Sequence, residues 1–290
     1  MGKDAQFFVR FCFIVTLFVF ARIAEGQTFT YETDNFIIVD APDALTAKQC
    51  GDAAEKYRRD LSLLWLGKTL PDWSAKCPVK VRVGSNLGAG GATTFVFDKG
   101  EVYDWDMDIQ GSKERILDSV LPHEITHIVF ATHFRRPIPR WLDEGAAASV
   151  ENITEKKNYQ RLLLTFLQSR HPQCLPFNQL VAVKEYPDDP MPFYAQGFSI
   201  VEYLLTQGEQ VGIEQTGHTP HRRLVQFMET VMNTGDWQPA LQEHYHIDSL
   251  GTLQTRWVAW VGHTNNTPAQ EPVPAVALVN SEYGKSVYEQ

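Results

Sequence analysis

Residues 121–130 read Leu-Pro-His-Glu-Ile-Thr-His-Ile-Val-Phe. His123 and His127 stand four apart. On a helix, residues four apart lie about 40° from one another around the axis, so both imidazoles point to the same side. Two imidazoles on one helical face can share a single divalent cation, with metal–nitrogen distances of about 2.0–2.1 Å for zinc. Glu124, one residue on from His123, can reach a water beside that cation without ligating it, which is the arrangement of a general base. A bare His-Glu-x-x-His also occurs as an ordinary histidine pair. The apolar neighbours Ile125, Ile128 and Val129 favour a metal here, because they bury the helix and buried ionisable groups need compensation.

A hydrolytic zinc centre uses three protein ligands and leaves one position open. Residues 139–148, Pro-Arg-Trp-Leu-Asp-Glu-Gly-Ala-Ala-Ala, offer two candidates for the third, Glu144 and its neighbour Asp143. Spacing does not separate them. The small residues after Glu144 would let its helix pack closely against the one carrying His123. His133 is a further histidine nearby, expected to face solvent or to stand behind the ligands.

These side chains need a scaffold, and the sequence outlines one. Residues 35–40 read as a strand, and 44–66 as a long amphipathic helix with Thr46 and Gln49 as a capping box. Alternating Val79, Val81 and Val83 predict a half-buried strand over 78–83. Residues 93–97 and 101–109, joined by Lys99-Gly100, predict a β-hairpin. From Ser112 onward the periodicity is helical: 112–134, 142–151, 155–169, 192–206, 221–233, 237–244 and 250–261, punctuated by Gly and Pro. Strands first and helices later define an α+β fold: a mainly antiparallel N-terminal sheet with one long helix (27–110), then a mainly helical half (111–262), with the metal site between them. Residues 263–290 lack periodicity and are expected to form a flexible tail. The glycines of 88–91 lack the Lys-Ser/Thr ending of a phosphate loop and lead into a strand, so backbone freedom explains them better.

Composition narrows the function class. The 290 residues are 43% hydrophobic and 21% charged, with a formal net charge of -9, ordinary for a globular protein and unfavourable for binding phosphate backbones. No nucleic-acid partner is expected. Lys3 and Arg10 precede an apolar run over 11–21, followed by the small residues Ala24 and Gly26. That pattern predicts a secretory signal over 1–26 and an exported protein, secreted or periplasmic, with no stable membrane span after cleavage. An uncleaved N-terminal anchor, with Arg22 at the membrane edge, is the second reading of the same run. Signal removal takes Cys12 and leaves Cys50, Cys77 and Cys174. Cys50–Cys77 is the favoured bridge and three buried free thiols the alternative. No cysteine is patterned as a nucleophile with a histidine. Asn152-Ile153-Thr154 and Asn265-Asn266-Thr267 are glycosylation sequons.

Three segments resemble the gluzincins, the MA-like zinc peptidases related to the catalytic core of the aminopeptidase N family: His-Glu-Ile-Thr-His at 123–127, Trp-Leu-Asp-Glu-Gly-Ala-Ala at 141–147, and Phe-Tyr-Ala-Gln-Gly-Phe-Ser-Ile-Val-Glu-Tyr-Leu at 193–204. The matched region spans about 91–205 and implies a peptidase MA-like domain over 27–262 with a zincin-like helical half. The second segment is similar to the family's Trp-Leu-Asn-Glu-Gly-Phe-Ala, in which the Glu before Gly is the third zinc ligand; this implies Glu144 rather than Asp143. The third is similar to the family's Tyr-Glu-Lys-Gly helix and implies Tyr194 as the oxyanion donor. The separation of His127 from Glu144 is a little shorter than in aminopeptidase N. The family's Gly-Ala-Met-Glu-Asn element, which holds a free amino terminus, has at best a remnant at Gly90-Gly91-Ala92. Zinc-dependent endopeptidase action on peptide or protein substrates is therefore the implied activity, with an extended substrate pairing along the edge of 93–97. A catalytically silent binding protein and a zinc amidase acting on non-protein peptides are the alternatives.

Overall fold

The computed structural model describes residues 7–8, 28–169, 173–211 and 219–264. The apolar run of the expected signal, the Asn265 sequon and residues 265–290 lie outside the described residues. The fold is α+β, and the chain divides into two compact units: Met1–Ser62, Thr69–Pro137 and Val150–Asn152 in the first, and Leu63–Lys68, Ile138–Ser149 and Ile153–Gln290 in the second.

Among the described residues, the first unit is built on a mixed sheet of six strands, β1 (Phe7–Phe8), β2 (Phe29–Glu32), β3 (Phe36–Ala41), β4 (Cys77–Val83), β5 (Gly90–Asp98) and β6 (Glu101–Gly111), in the order β1-β5-β6-β4-β3-β2. Antiparallel pairings stand at both flanks, while β3–β4 and β4–β6 are parallel. The centre is parallel because helix α1 (Ala44–Leu66) carries the chain from the end of β3 back to the start of β4, a crossover that only parallel strands require. The β5–β6 hairpin turns at Lys99 and Gly100, both left-handed (φ 51° and 79°), as the tight turn matched to strand twist demands. The valine alternation in β4 buries Val79 and Val81 opposite Met107 and Ile109 of β6. On the outer face Lys80 bonds Asp106 at 2.9 Å and Arg82 meets Asp108 at 3.6 Å, cross-strand charge pairs that keep that face wet.

Two local expectations are corrected here. Helix α1 starts at Ala44, so Thr46 lies inside its first turn. The cap is Asp43, whose Oδ1 accepts from the Thr46 backbone N–H at 2.7 Å and whose Oδ2 accepts from the Thr46 hydroxyl at 2.7 Å. Cys50 and Cys77 are buried and unbridged. Their dry surroundings raise the Cys50 thiol to about 11 and push Cys77 upward too, so both stay protonated near neutral pH and pack as small hydrophobes. Cys174 is also free.

The expected helix over 112–134 is present with a change of pitch. Ser112 caps α2 (Lys113–Arg115), a π-helical turn occupies Ile116–Val120, and α3 runs Leu121–Phe134. Leu121 to Ala131 are all buried, and α3 packs on β5 and β6. Pro122 follows the π turn directly inside this continuous run, where it has no N–H to give to the turn before it. Arg135 ends the helix in a left-handed conformation, its N–H returning to the Ala131 carbonyl at 3.0 Å.

The second unit is helical: α4 (Arg140–Ser149), α5 (Ile153–Gln168), α6 (Phe177–Leu180), α7 (Met191–Val211), α8 (Pro220–Thr234), α9 (Trp237–Tyr245) and α10 (Leu250–Thr264). The last helix extends into the first two residues of the expected tail. Among the described residues, no helix is long and apolar enough to cross a membrane. The small residues after Glu144 serve a contact with α7: a Cβ on Gly145 would meet the Gly197 carbonyl oxygen at 2.4 Å, and one on Gly197 would meet the Trp141 carbonyl oxygen at 2.7 Å. Two backbones at that range tolerate no side chain. Gly145→Ala should therefore cost about 1–3 kcal/mol of stability by overpacking, read as a lower denaturant midpoint at unchanged slope. An unchanged midpoint would mean the two helices can separate without loss.

Candidate metal centre

The helix α3 presents His123, Glu124 and His127, exposed to 6%, 1% and 2% respectively. The two imidazole rings lie 5.0 Å apart at 75° to one another. His123 Nδ1 is 2.7 Å from Glu151 Oε1, and both side chains are nearly closed to solvent. With the Glu151 carboxylate accepting from Nδ1, Nε2 is the ring nitrogen that would serve a metal. This is how metal-ligating histidines are oriented and made more basic. Glu151 sits in a short segment that the neighbouring Asn152 ties down, donating from Nδ2 to Asp118 Oδ2 at 2.9 Å; Ser119 donates to the other oxygen of Asp118 at 2.8 Å. The π turn thus anchors the residue that orients His123.

Glu124 is held from the sheet. Thr93 on β5, itself buried, donates its hydroxyl to Glu124 Oε2 at 2.7 Å. Gly91, two residues earlier and on the same face of the strand, makes room for the carboxylate: a Cβ there would stand 2.6 Å from Glu124 Oε1. The glycine is therefore needed for close approach, and the strand sets the position of the carboxylate on both sides.

On α4, Asp143 and Glu144 are both buried, at 2% and 1% exposure. Tyr186, in the segment leading into α7, donates its hydroxyl to Glu144 Oε1. Tyr194 on α7 is buried at 4% exposure, with its ring 5.9 Å from that of Tyr186. His133 is half-buried near the end of α3, its ring beside Phe134.

His123, His127 and Glu144 each offer a ligand atom, and these atoms all lie within 4.8 Å of one another. Asp143 is not part of that group. Two imidazoles and one carboxylate, all buried, form a donor set suited to a divalent ion, which would offset the cost of burying the carboxylate. Thr93, Gly91, Glu151 and Tyr186 are neighbours of these groups. None of them stands at a helical or strand repeat from the residue it touches, so spacing carried no signal for their roles. The glycine cluster was visible in the sequence, but its partner was not.

Compared with known proteins, the chain matches no protein-family model and no curated protein.

Proposed function

We propose that the chain is a zinc-dependent peptidase of the gluzincin type, acting as an endopeptidase, with His123, His127 and Glu144 as ligands and Glu124 as general base. The observation that carries this reading is the buried three-ligand group with an oriented carboxylate one residue along the same helix. The three sequence segments that resemble the gluzincins, two of which carry these same residues, agree with it.

Zinc bound there would lower the pKa of a water toward neutrality and polarise the scissile carbonyl. Glu124 would act as the base, taking a proton from the attacking water and giving it to the leaving amine. The Thr93 hydroxyl on Oε2 keeps the carboxylate from turning away between those two transfers. Tyr194 donates to the oxygen that gains charge in the tetrahedral intermediate. Glu151 keeps His123 in one tautomer throughout. The edge of β5 offers a place for an extended peptide. β5 pairs over its length with β6, and on its other side, among the described residues, only Phe95 and Val96 are paired, with Phe7–Phe8. A substrate strand added beside Thr93 would lie next to the base.

Metal analysis of the purified protein with a broad peptide-cleavage screen tests this. Stoichiometric zinc is expected, with internal peptide bonds cut, phenanthroline blocking turnover and added zinc restoring it. Zinc uptake without cleavage of any peptide would give the binding-protein alternative instead, and turnover confined to non-protein amides would give the amidase. Absence of metal uptake would overturn the reading.

A further inference from the structure

We infer that Tyr186 is a positioning residue that presents Glu144 as a single-oxygen ligand, and that Arg140 holds Tyr186 in place to do so. This rests on the metal-site reading above.

Glu144 has two oxygens and a nearly closed environment. The Tyr186 hydroxyl occupies Oε1. A carboxylate oxygen that accepts a phenolic O–H is a poorer partner for a cation, and the hydrogen bond also fixes the plane of the group. The other oxygen is then the one that would serve a metal. A bidentate carboxylate would take an extra coordination position at a site that needs one open for water. Locking one oxygen therefore preserves the vacancy.

Tyr186 comes from a segment without helix or strand, between Lys184 and Pro187, and such a segment needs an anchor to place a hydroxyl reproducibly. Arg140, the first residue of α4, supplies three contacts. Its guanidinium lies over the Tyr186 ring, 4.4 Å from the centroid. Its Nε donates to the Lys184 carbonyl. Its terminal nitrogen is 3.6 Å from the Glu185 carboxylate. The cation thus grips the residue it stacks on and the two before it. On the other side, Tyr186 packs edge-on against Phe193 of α7, 6.3 Å between centroids at 90°. Arg140 and Glu144 lie four apart on one helix, so the strap and the ligand it serves share a rigid base.

The test compares the full-length wild type with Tyr186→Phe and Arg140→Met. Zinc affinity is measured by competition with a chromophoric chelator, and coordination by the visible spectrum of the cobalt(II) form. Tyr186→Phe keeps the ring that Arg140 stacks on, so its fold should survive, and thermal unfolding of the metal-free protein checks this. We expect zinc affinity to fall about 10–100-fold and the cobalt bands to shift as the carboxylate turns bidentate. Arg140→Met should move both readouts in the same direction. A role confined to packing would lower the melting temperature and leave the cobalt spectrum alone, which would overturn the inference. So would unchanged zinc affinity in Tyr186→Phe beside a wild type that binds zinc, and this outcome would leave the proposed function standing. A wild type that takes up no metal would overturn both. Unchanged readouts in Arg140→Met alone would overturn Arg140's part.

Discussion

Glu124→Gln should leave zinc bound and slow peptide hydrolysis by about 10²–10⁴-fold, the range that a positioned general base supplies. Glutamine matches glutamate in shape, and its amide can still pair with the Thr93 hydroxyl that now donates to Oε2 at 2.7 Å. Packing is thus preserved while the proton acceptor is lost. The effect should fall on kcat, because the base works only as the water attacks. Gly91→Ala makes a companion experiment. Its Cβ would stand 2.6 Å from Glu124 Oε1, so the carboxylate must shift, and a misplacement of about 1 Å can cost on the order of 10²-fold in rate. Metal content should again be unchanged. A Glu124→Gln enzyme as fast as wild type would remove Glu124 from the chemistry, whatever its zinc content.

Glu144→Ala should abolish stoichiometric zinc binding, whereas Asp143→Ala should retain it. The two carboxylates are adjacent and equally buried, which makes the pair a controlled comparison: each substitution removes one buried acid from the same turn of α4. Only Glu144 joins the two imidazoles in the group whose ligand atoms lie within 4.8 Å. The loss should exceed the roughly 10–100-fold drop that follows removal of a group standing behind a ligand, and Glu151→Ala provides that reference. Zinc measured by atomic absorption after dialysis decides the matter. Equal zinc in the two α4 variants would take Glu144 out of the site.

Much of the scaffold was legible because it obeys local periodicities. Helix α1 lies at 44–66 as the apolar spacing predicts, β4 follows the valine alternation, and the Lys99-Gly100 turn joins β5 to β6. Local rules failed where neighbours competed. Asp43 outcompetes Thr46 as a cap because the helix begins one residue after it. The thiols of Cys50 and Cys77 were candidates for a bridge on chain context alone, and each is buried and unbridged in the folded unit. The π turn at Ile116–Val120 breaks no hydrophobic repeat, and only Pro122, which has no N–H for the turn before it, marks the place.

By itself the sequence determined that His123, Glu124 and His127 share a buried helix, since four-residue spacing and flanking aliphatics are properties of adjacent residues. It also placed a carboxylate on a small-residue helix beyond Pro139, although that helix begins at Arg140 and Glu144 lies in its interior, not at its start. Only the tertiary structure decided which groups complete the surroundings: Glu151 on His123, Thr93 and Gly91 about Glu124, and Tyr186 on Glu144. Those partners are 28, 31 and 42 residues apart along the chain for the three hydrogen bonds. Contacts at such separations are set by how strands and helices stack, and stacking depends on the whole core rather than on any repeat that a short window of sequence can carry.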